Sequence, residues 1–375
     1  MDKIYIQNYA INSSQGDLKS TISAIKNEQI EVSNIQSKRL NEEITIPYYL
    51  LENRVEENQS SIYKALRDVV EKVVTNLSTK QRASTAIFIG TSLADLNITD
   101  AIEDSCYAHK RKEYSTCKRS IDTYAKELAY EFGLNEFTMS INTACTSSAN
   151  ALLEASNFIK SKIFENVVVV GVEIYSKTMS SGFSSMNLLS PTSLKSFDKN
   201  REGLILGEGV AAILVSNKKS SWLLCGGFTN CNSTTITSVS EDGSEFLDVM
   251  QNSLKKLNLK KGNITAVKAH ATGTATNDIA EINAIRELFT QDVLFTALKP
   301  YIGHTLGACG ALELAIFIGA IDDGFIPKSL NCNEPIYENY SPLKEHIACK
   351  SGTFMLNYFG FGGSNTSLII QKEHL

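Results

Sequence analysis

The order of apolar segments predicts a layered α/β protein made of two similar halves. Three observations carry this: strand-like runs alternate with helical patterns, the second half repeats the alternation, and no low-complexity linker separates the two. In the first half, "TAIFIGT", "FTMSI" and "NVVVVGVEIYS" read as core strands. Between the last two, Ala151, Leu152, Ala155, Phe158 and Ile159 recur at the three- and four-residue spacing of one buried helical face. The apolar "EGVAAILVS" closes this half after a long connection, "SGFSSMNLLSPTSLKSFDKNREG", whose length suits a segment that covers a site. A polar turn at "NKKSSWL" places the boundary between units 1–215 and 216–375. Beyond it, "FLDVMQNSLKKLNL", "DIAEINAIRELF" and "TLGACGALELAIFIGAI" read as helices, "ITAVKAH" and "FTAL" as strands, and "SGTFMLNYFGFGGSNTSLII" as the closing strand segment.

Composition narrows the function classes. With 43% hydrophobic and 21% charged residues, a chain of 375 can bury a large core, and disorder is excluded. The formal net charge is -5 and the signs are interspersed, save for a basic run at residues 109 to 119. That run lacks an aromatic stacking platform, which argues against nucleic acid and leaves an acidic partner open. The apolar runs are too short for a membrane span, and "MDKIYIQNYAIN" lacks the basic and apolar parts of a signal peptide, so a cytoplasmic protein is expected. Eight cysteines without a C-x-x-C pair then read as free thiols. Neither H-E-x-x-H nor a phosphate-binding G-x-x-x-x-G-K-[ST] occurs, and no metal or nucleotide cofactor is expected.

Four places carry candidate chemistry. In "NTACTSSANALLEASNFIK", Cys145 lies where a strand gives way to a helix; the helix N-terminus favours a thiolate there, although a buried cysteine is also an ordinary core residue. His270 ends a strand ahead of "ATGTATND", and serves equally well as a turn-stabilising group. In "LKPYIGHTLGACGALELA", Lys299 and His304 precede a helix, with Glu313 two to three turns inside it; alone, Lys299 suits a surface and Glu313 a solvent-facing position. The glycines of "NYFGFGGSN" permit a tight turn whose amides could face negative charge, or simply join two strands. Cys145, His270 and His304 all follow strand-like segments, at the carboxyl ends where catalytic groups of layered α/β folds converge.

Taken in order, "TACTSSA", "SPTSLKSFDKNREGLILGEG", "AHATGTATND", "LKPYIGHTLGACGALE" and "NYFGFGGSN" resemble a β-ketoacyl-acyl-carrier-protein synthase, a decarboxylating condensing enzyme of the thiolase superfamily. The resemblance spans nearly the whole chain and implies the thiolase fold, a duplicated αβαβα architecture. It implies Cys145 as the acyl-accepting nucleophile, His270 and His304 as the pair serving malonyl decarboxylation, and Lys299 with Glu313 as a supporting ion pair. Lys299 is expected to orient the strand of the second histidine. It further implies an oxyanion hole from the amides of Cys145 and Phe361, and a gate loop holding Phe359 and Phe361, whose main chain depends on Gly360, Gly362 and Gly363. Thr272 and Thr274 match threonines that hold the malonyl thioester. The order Cys, His, Lys, His suits extension of carrier-bound chains, in contrast to Cys-His-Asn relatives and to thiolases with a second cysteine; Cys309 reads as a small helical core residue.

The implied reaction needs no cofactor, since its substrates ride on the phosphopantetheine of an acyl carrier protein. Carrier docking and a homodimer, or a heterodimer with a related ketosynthase subunit, are implied partners, with "NVVVVGVEIYS" as the strand extending a shared sheet. A chain-length-factor-like partner subunit is the alternative function, although such subunits typically lose the nucleophile that this chain keeps. The "GFSSMNLLSP" segment is closest to synthases of aryl polyene chains. The sequence departs from the family pattern at Ala271, where glycine is usual, at Asn232, often acidic, and at Pro300, usually smaller; the Ala271 methyl is expected to crowd its loop.

Overall fold

A computed structural model describes residues 3–39, 42–51, 59–93, 120–232, 239–290 and 293–372. The basic run at 109–119, with Cys106 and Cys117, lies outside the described residues. Five strands come from the first half: β1 (Ile4–Asn12), then, after a hairpin of β2 (Ser33–Arg39) and β3 (Glu42–Tyr48), β4 (Thr85–Gly90), β5 (Thr138–Ile141), β6 (Asn166–Glu173) and β7 (Gly209–Ser216). Five more come from the second: β8 (Trp222–Cys231), β9 (Ala266–Ala269) and β10 (Leu294–Ala297), then, past the two-residue β11 (Phe325–Ile326) and β12 (Ile347–Ala348), β13 (Gly352–Phe359) and β14 (Ser364–Lys372).

These ten form one sheet in the order β10-β9-β13-β14-β8-β1-β7-β6-β4-β5. Read outward from the central β1–β8 pair, the halves have the same topology: β1, β7, β6, β4, β5 correspond to β8, β14, β13, β9, β10. The directions correspond as well, parallel within β4–β5, β4–β6, β9–β10 and β9–β13 and antiparallel within β6–β7 and β13–β14. The duplication is therefore topological, without a repeat at residue level. The seam between the halves is short, pairing Ile4–Leu224, Tyr5–Leu223 and Ile6–Trp222.

The layers follow from the apolar patterning. β6 is buried at every position, which is what its unbroken "VVVV" run requires of a strand covered on both faces. Helices Ser147–Lys160 and Cys309–Asp322 pack against each other and against strands of both halves, forming the middle layer. The second of these is apolar nearly all round and is buried from Cys309 through Ile321. Glu313 shares that burial, against the usual solvent-facing position of a helical glutamate, and it sits little more than one turn into the helix, because the helix starts only at Cys309. Helices Gln59–Val74 and Ile121–Phe132 cover one outer face, and Ser244–Lys256 with Ala275–Phe289 cover the other.

The strand expected to extend a shared sheet is not an edge. β6 is hydrogen-bonded on both sides, to β4 and β7, and among the described residues the edges of the sheet are β5 and β10. Among the described residues, no helix is long and apolar enough to cross a membrane. The six described cysteines are free.

Close approach of the two middle helices depends on Gly310, where a Cβ would lie 2.1 Å from the Ala149 amide nitrogen. Gly310→Ala is expected to cost about 3 kcal/mol through this backbone clash. Gly182→Ala, whose Cβ meets nothing within 4 Å, serves as the control and is expected to leave stability unchanged or slightly raised. Urea unfolding of both variants measures the difference.

Candidate active site

The turn that presents Cys145 is locked by its own small polar residues. Ala144 takes a left-handed φ of 53°, reversing the chain between β5 and the helix that begins at Ser147. Ser147 Oγ donates to Ala144 O (2.6 Å) and accepts from Thr143 N (2.9 Å), while Thr146 Oγ1 donates to Thr143 O (2.7 Å). Cys145 is thereby fixed two residues ahead of the helix and is 2% exposed. The helix terminus expected to favour a thiolate does not prevail. Burial pushes the thiol up to about 11, even though the Phe361 amide and the Lys299 charge pull the other way.

His270 follows β9 directly, and its position is set through the backbone. Glu281, in helix Ala275–Phe289, accepts from His270 N and Ala271 N, each at 2.7 Å. Burial pushes this carboxyl up to about 7, against those same N–H bonds. Asp278, one turn earlier, accepts from Gly273 N (3.1 Å) and Phe197 N (2.7 Å). Ala271 takes a left-handed φ of 54°, and its buried methyl joins the outer core beside Phe197 and Phe246. The cost of the left-handed backbone, on the order of 1 kcal/mol, is offset by methyl burial of similar size.

His304 does not follow its strand directly; the short helix Lys299–Ile302 intervenes, with Pro300 in its first turn, where no helical N–H is lost. Its N donates to Ile205 O (2.7 Å), its O accepts from Gly207 N (3.0 Å), and Leu306 N donates to its Nδ1 (3.3 Å). The imidazole rings of His270 and His304 stand edge to face, with centroids 5.2 Å apart. One ligating atom from each ring and the Cys145 sulfur lie within 4.8 Å of one another. Both Nε2 atoms are buried and have no hydrogen-bond partner among the described residues. Burial first, and then the Lys299 charge, push both imidazoles well below their usual value, so both are neutral.

Beneath the rings lies a charged cluster that is fully buried. Glu313 binds Lys299 through Oε1 (2.7 Å) and Lys268 through Oε2 (2.5 Å). Lys268 also donates to Asn357 O (2.7 Å) and lies 3.8 Å from the Tyr358 ring centroid. Burial opposes ionisation of Glu313, but the two ammonium groups outweigh it and hold the carboxyl below its usual range. Lys299 Nζ stands 3.1 Å from His270 Nδ1. Its contact is therefore with the first histidine, whereas the sequence reading gave it to the strand of the second.

The glycine turn divides the residues expected at the gate. Phe359 is the last residue of β13, 3% exposed and stacked on Phe246 at 3.7 Å, and it lines the same cavity as Phe361 from its core side. Phe361 is on the turn itself and meets Phe183 edge to face at 5.7 Å. Gly362 and Gly363 adopt φ of 87° and 83°, whereas Gly360 matters through proximity, since a Cβ there would stand 3.3 Å from Cys145 N. Asn232 braces this turn, donating through its backbone N to Gly363 O (2.8 Å) and through Nδ2 to Glu245 Oε1 (2.8 Å). Thr272 and Thr274, with hydroxyls 2.9 Å apart, line a cavity of about 270 Å³ together with Arg201, Asn277 and Phe361.

Around Cys145 the wall is apolar, formed by Tyr48, Tyr175, Phe183, Leu204, Leu206 and Leu306. Phe183 comes from helix Lys177–Ser185, in the long connection expected to cover a site. Lys268, Asp278 and Glu281 went unnoticed in the sequence. A lysine inside the apolar strand "ITAVKAH", and two acids one helical turn apart just after the histidine turn, were the signals available.

A duplicated five-layer fold with a buried thiol facing two neutral imidazoles defines a condensing enzyme of the thiolase fold, one that transfers an acyl group and forms a carbon–carbon bond. Residues 55–221 match the β-ketoacyl synthase N-terminal domain, and residues 223–333 match its C-terminal domain. The chain belongs to the β-ketoacyl synthase family. It is 28% identical over 333 residues to the mitochondrial 3-oxoacyl-acyl-carrier-protein synthase of Arabidopsis thaliana, covering 82% of this chain and 72% of that one. Its fold is shared by a chain of the ketosynthase ApeO in complex with its chain length factor ApeC from Xenorhabdus doucetiae, with TM-score 0.84, 20% identity, and 99% and 98% of the two chains covered. A chain of AntDE:AntF, a type II PKS acyl-carrier protein in complex with its ketosynthase bound to the hexaketide, superposes with TM-score 0.87 at 16% identity, over 99% and 100%.

A thiol pushed up to about 11 has a thiolate fraction that grows about tenfold per pH unit below that value, so alkylation of Cys145 in the resting protein is expected to rise with that slope between pH 7 and 9. Mass-resolved iodoacetamide labelling measures it, and a plateau near pH 8 would count against the buried-thiol description. Glu313→Gln leaves two buried lysines without their counter-charge and is expected to cost about 3–5 kcal/mol in urea unfolding.

Proposed function

We propose that this chain is a β-ketoacyl-acyl-carrier-protein synthase in which Cys145 carries the growing acyl chain and His270 and His304 stabilise the enolate formed from a malonyl-carrier. The observation that supports these roles most directly is that the two imidazoles, whose Nε2 atoms are buried with no hydrogen-bond partner among the described residues, each bring a ring nitrogen within 4.8 Å of the Cys145 sulfur. Acyl transfer comes first. Cys145 attacks the acyl thioester, the carbonyl oxygen turns toward the amides of Cys145 and Phe361, and the carrier leaves as its thiol, taking the proton that Cys145 gives up. No cofactor enters this step or the next.

Malonyl-carrier then binds with its thioester carbonyl toward the two imidazoles. Lys299, beside His270 Nδ1, keeps that nitrogen an acceptor, so the ring proton sits on Nε2. Loss of carbon dioxide leaves an enolate whose oxygen accepts from the Nε2–H groups, and its carbon attacks the acyl group on Cys145. The Cys145 thiolate is expelled and takes up one proton, which completes the balance: acyl-cysteine, malonyl-carrier and a proton give β-ketoacyl-carrier, carbon dioxide and cysteine. Thr272 and Thr274 hold the malonyl end, and Phe361 with Gly360 and Gly362 forms the gate; Phe359 supports it from the core.

The apolar wall around Cys145 suits an acyl chain, and the phosphopantetheine arm reaches it past Thr272 and Thr274. An acyl carrier protein in the cytoplasm is the partner this reading requires. Pairing with a second copy or a related subunit uses the edge strand β5 in place of β6, and the two halves, 1–215 and 216–375, act as one body.

Condensation of malonyl-carrier with a ladder of acyl-carriers, read as intact carrier masses, tests the proposal. Native protein is expected to add two carbons with loss of carbon dioxide, and Cys145→Ala to add none. His270→Ala and His304→Ala are each expected to load acyl groups on Cys145 while losing about a hundredfold or more in condensation. Failure of the native protein to accept any acyl group would overturn the catalytic roles.

A further inference from the structure

Cys309 does more than fill the helix as alanine would. It is the first residue of helix Cys309–Asp322, fully buried, and its Sγ lies 3.2 Å from His304 Nδ1. Two neighbours fix the direction of that contact. Leu306 N–H, which can only donate, points at the same Nδ1 from 3.3 Å, so Nδ1 presents a lone pair and carries no proton. Thr305 Oγ1 donates to Cys309 Sγ at 3.6 Å, engaging a sulfur lone pair and leaving the S–H for the imidazole. Burial keeps this thiol protonated.

We infer that Cys309 is a positioning residue for the condensation, donating its S–H to His304 Nδ1 beside the Leu306 amide that fixes the tautomer, and thereby holding the ring in the orientation that presents Nε2–H to the enolate oxygen. The inference rests on the proposed role of His304. It gives the two imidazoles matching supports from different chemistry: an ammonium group, Lys299, caps Nδ1 of His270, and a thiol aided by a backbone amide caps Nδ1 of His304. A neutral donor is the one His304 can accept without adding charge to a cluster that already holds two lysines against one glutamate.

The test compares native protein, Cys309→Ala and Cys309→Ser in three readouts: acyl loading of Cys145, malonyl-carrier decarboxylation, and the ¹⁵N chemical shifts of the His304 ring. Cys309→Ala is expected to load at the native rate, to lose about fivefold to tenfold in kcat for decarboxylation with an unchanged KM, and to keep the Nε2–H tautomer with an Nδ1 signal shifted by the lost bond. Cys309→Ser, whose hydroxyl donates the same bond, is expected to recover most of the rate and the native Nδ1 shift. Native decarboxylation in Cys309→Ala, or no recovery in Cys309→Ser, would overturn the inference. Should Cys309→Ala fail to fold, the ring shifts of the native and Ser proteins decide, since an Nδ1–H signal in either contradicts the proposed bond. Absence of loading and extension by native protein would instead defeat the catalytic reading, and the Nδ1 shift, compared between native protein and Cys309→Ala, would still report on Cys309.

Discussion

The active site is organised around one buried carboxylate. Glu313 holds Lys299 and Lys268 at once, in a place no water reaches, and Lys299 in turn meets His270. Removing two ammonium groups and a carboxylate from water is unfavourable, and a buried ion pair is a poor source of stability compared with apolar packing of the same volume. The cluster is better understood as a constraint on orientation. With both lysines tied to one carboxylate, the charge beside the first imidazole has a fixed position and the ring has one useful tautomer. The middle helix carrying Glu313 is apolar nearly all round because it must be covered on every side for this to hold.

The reactive residues share a backbone device. Ala144 precedes the nucleophile, Ala271 follows the first histidine and Leu306 lies two residues past the second, and all three hold left-handed φ angles of 53°, 54° and 38° without being glycine. Each is held there by its surroundings: Ser147 on the Ala144 carbonyl, Glu281 and Ser196 on Ala271, and the His304 ring on the Leu306 amide. Local strain of this type concentrates where a side chain must be aimed, and two of the groups that maintain it sit on helices, Ser147 in the middle layer and Glu281 in the outer one.

Much of this was legible in the sequence because it depends on periodicity and short motifs. The strands around "VVVV" and "FTMSI" and the helix after Cys145 declare themselves through apolar spacing, and the five motifs locate the reactive residues. What the sequence did not convey is which side chains meet across elements distant in the chain. Lys268 and Lys299 are 45 and 14 positions from Glu313, and only the fold shows both to be its partners. The N-terminal β1, central in the sheet, gave little signal because its outward positions are half-buried and polar. The thiol of Cys145 was misjudged for a related reason: proximity to a helix terminus can be read locally, whereas the desolvation that outweighs it comes from the whole surrounding shell.

The duplicated topology divides the chemistry unequally. The first half contributes the thiol and the second contributes both imidazoles and the charged cluster, and the halves are stitched in the sheet by three residue pairs of β1 and β8. Neither half alone can assemble a reaction centre. During synthesis, the amino-terminal portion emerges with its cysteine but without either imidazole. A partly made or half-unfolded chain therefore holds the thiol apart from both imidazoles, and the three reactive groups meet only once the two halves have closed on each other.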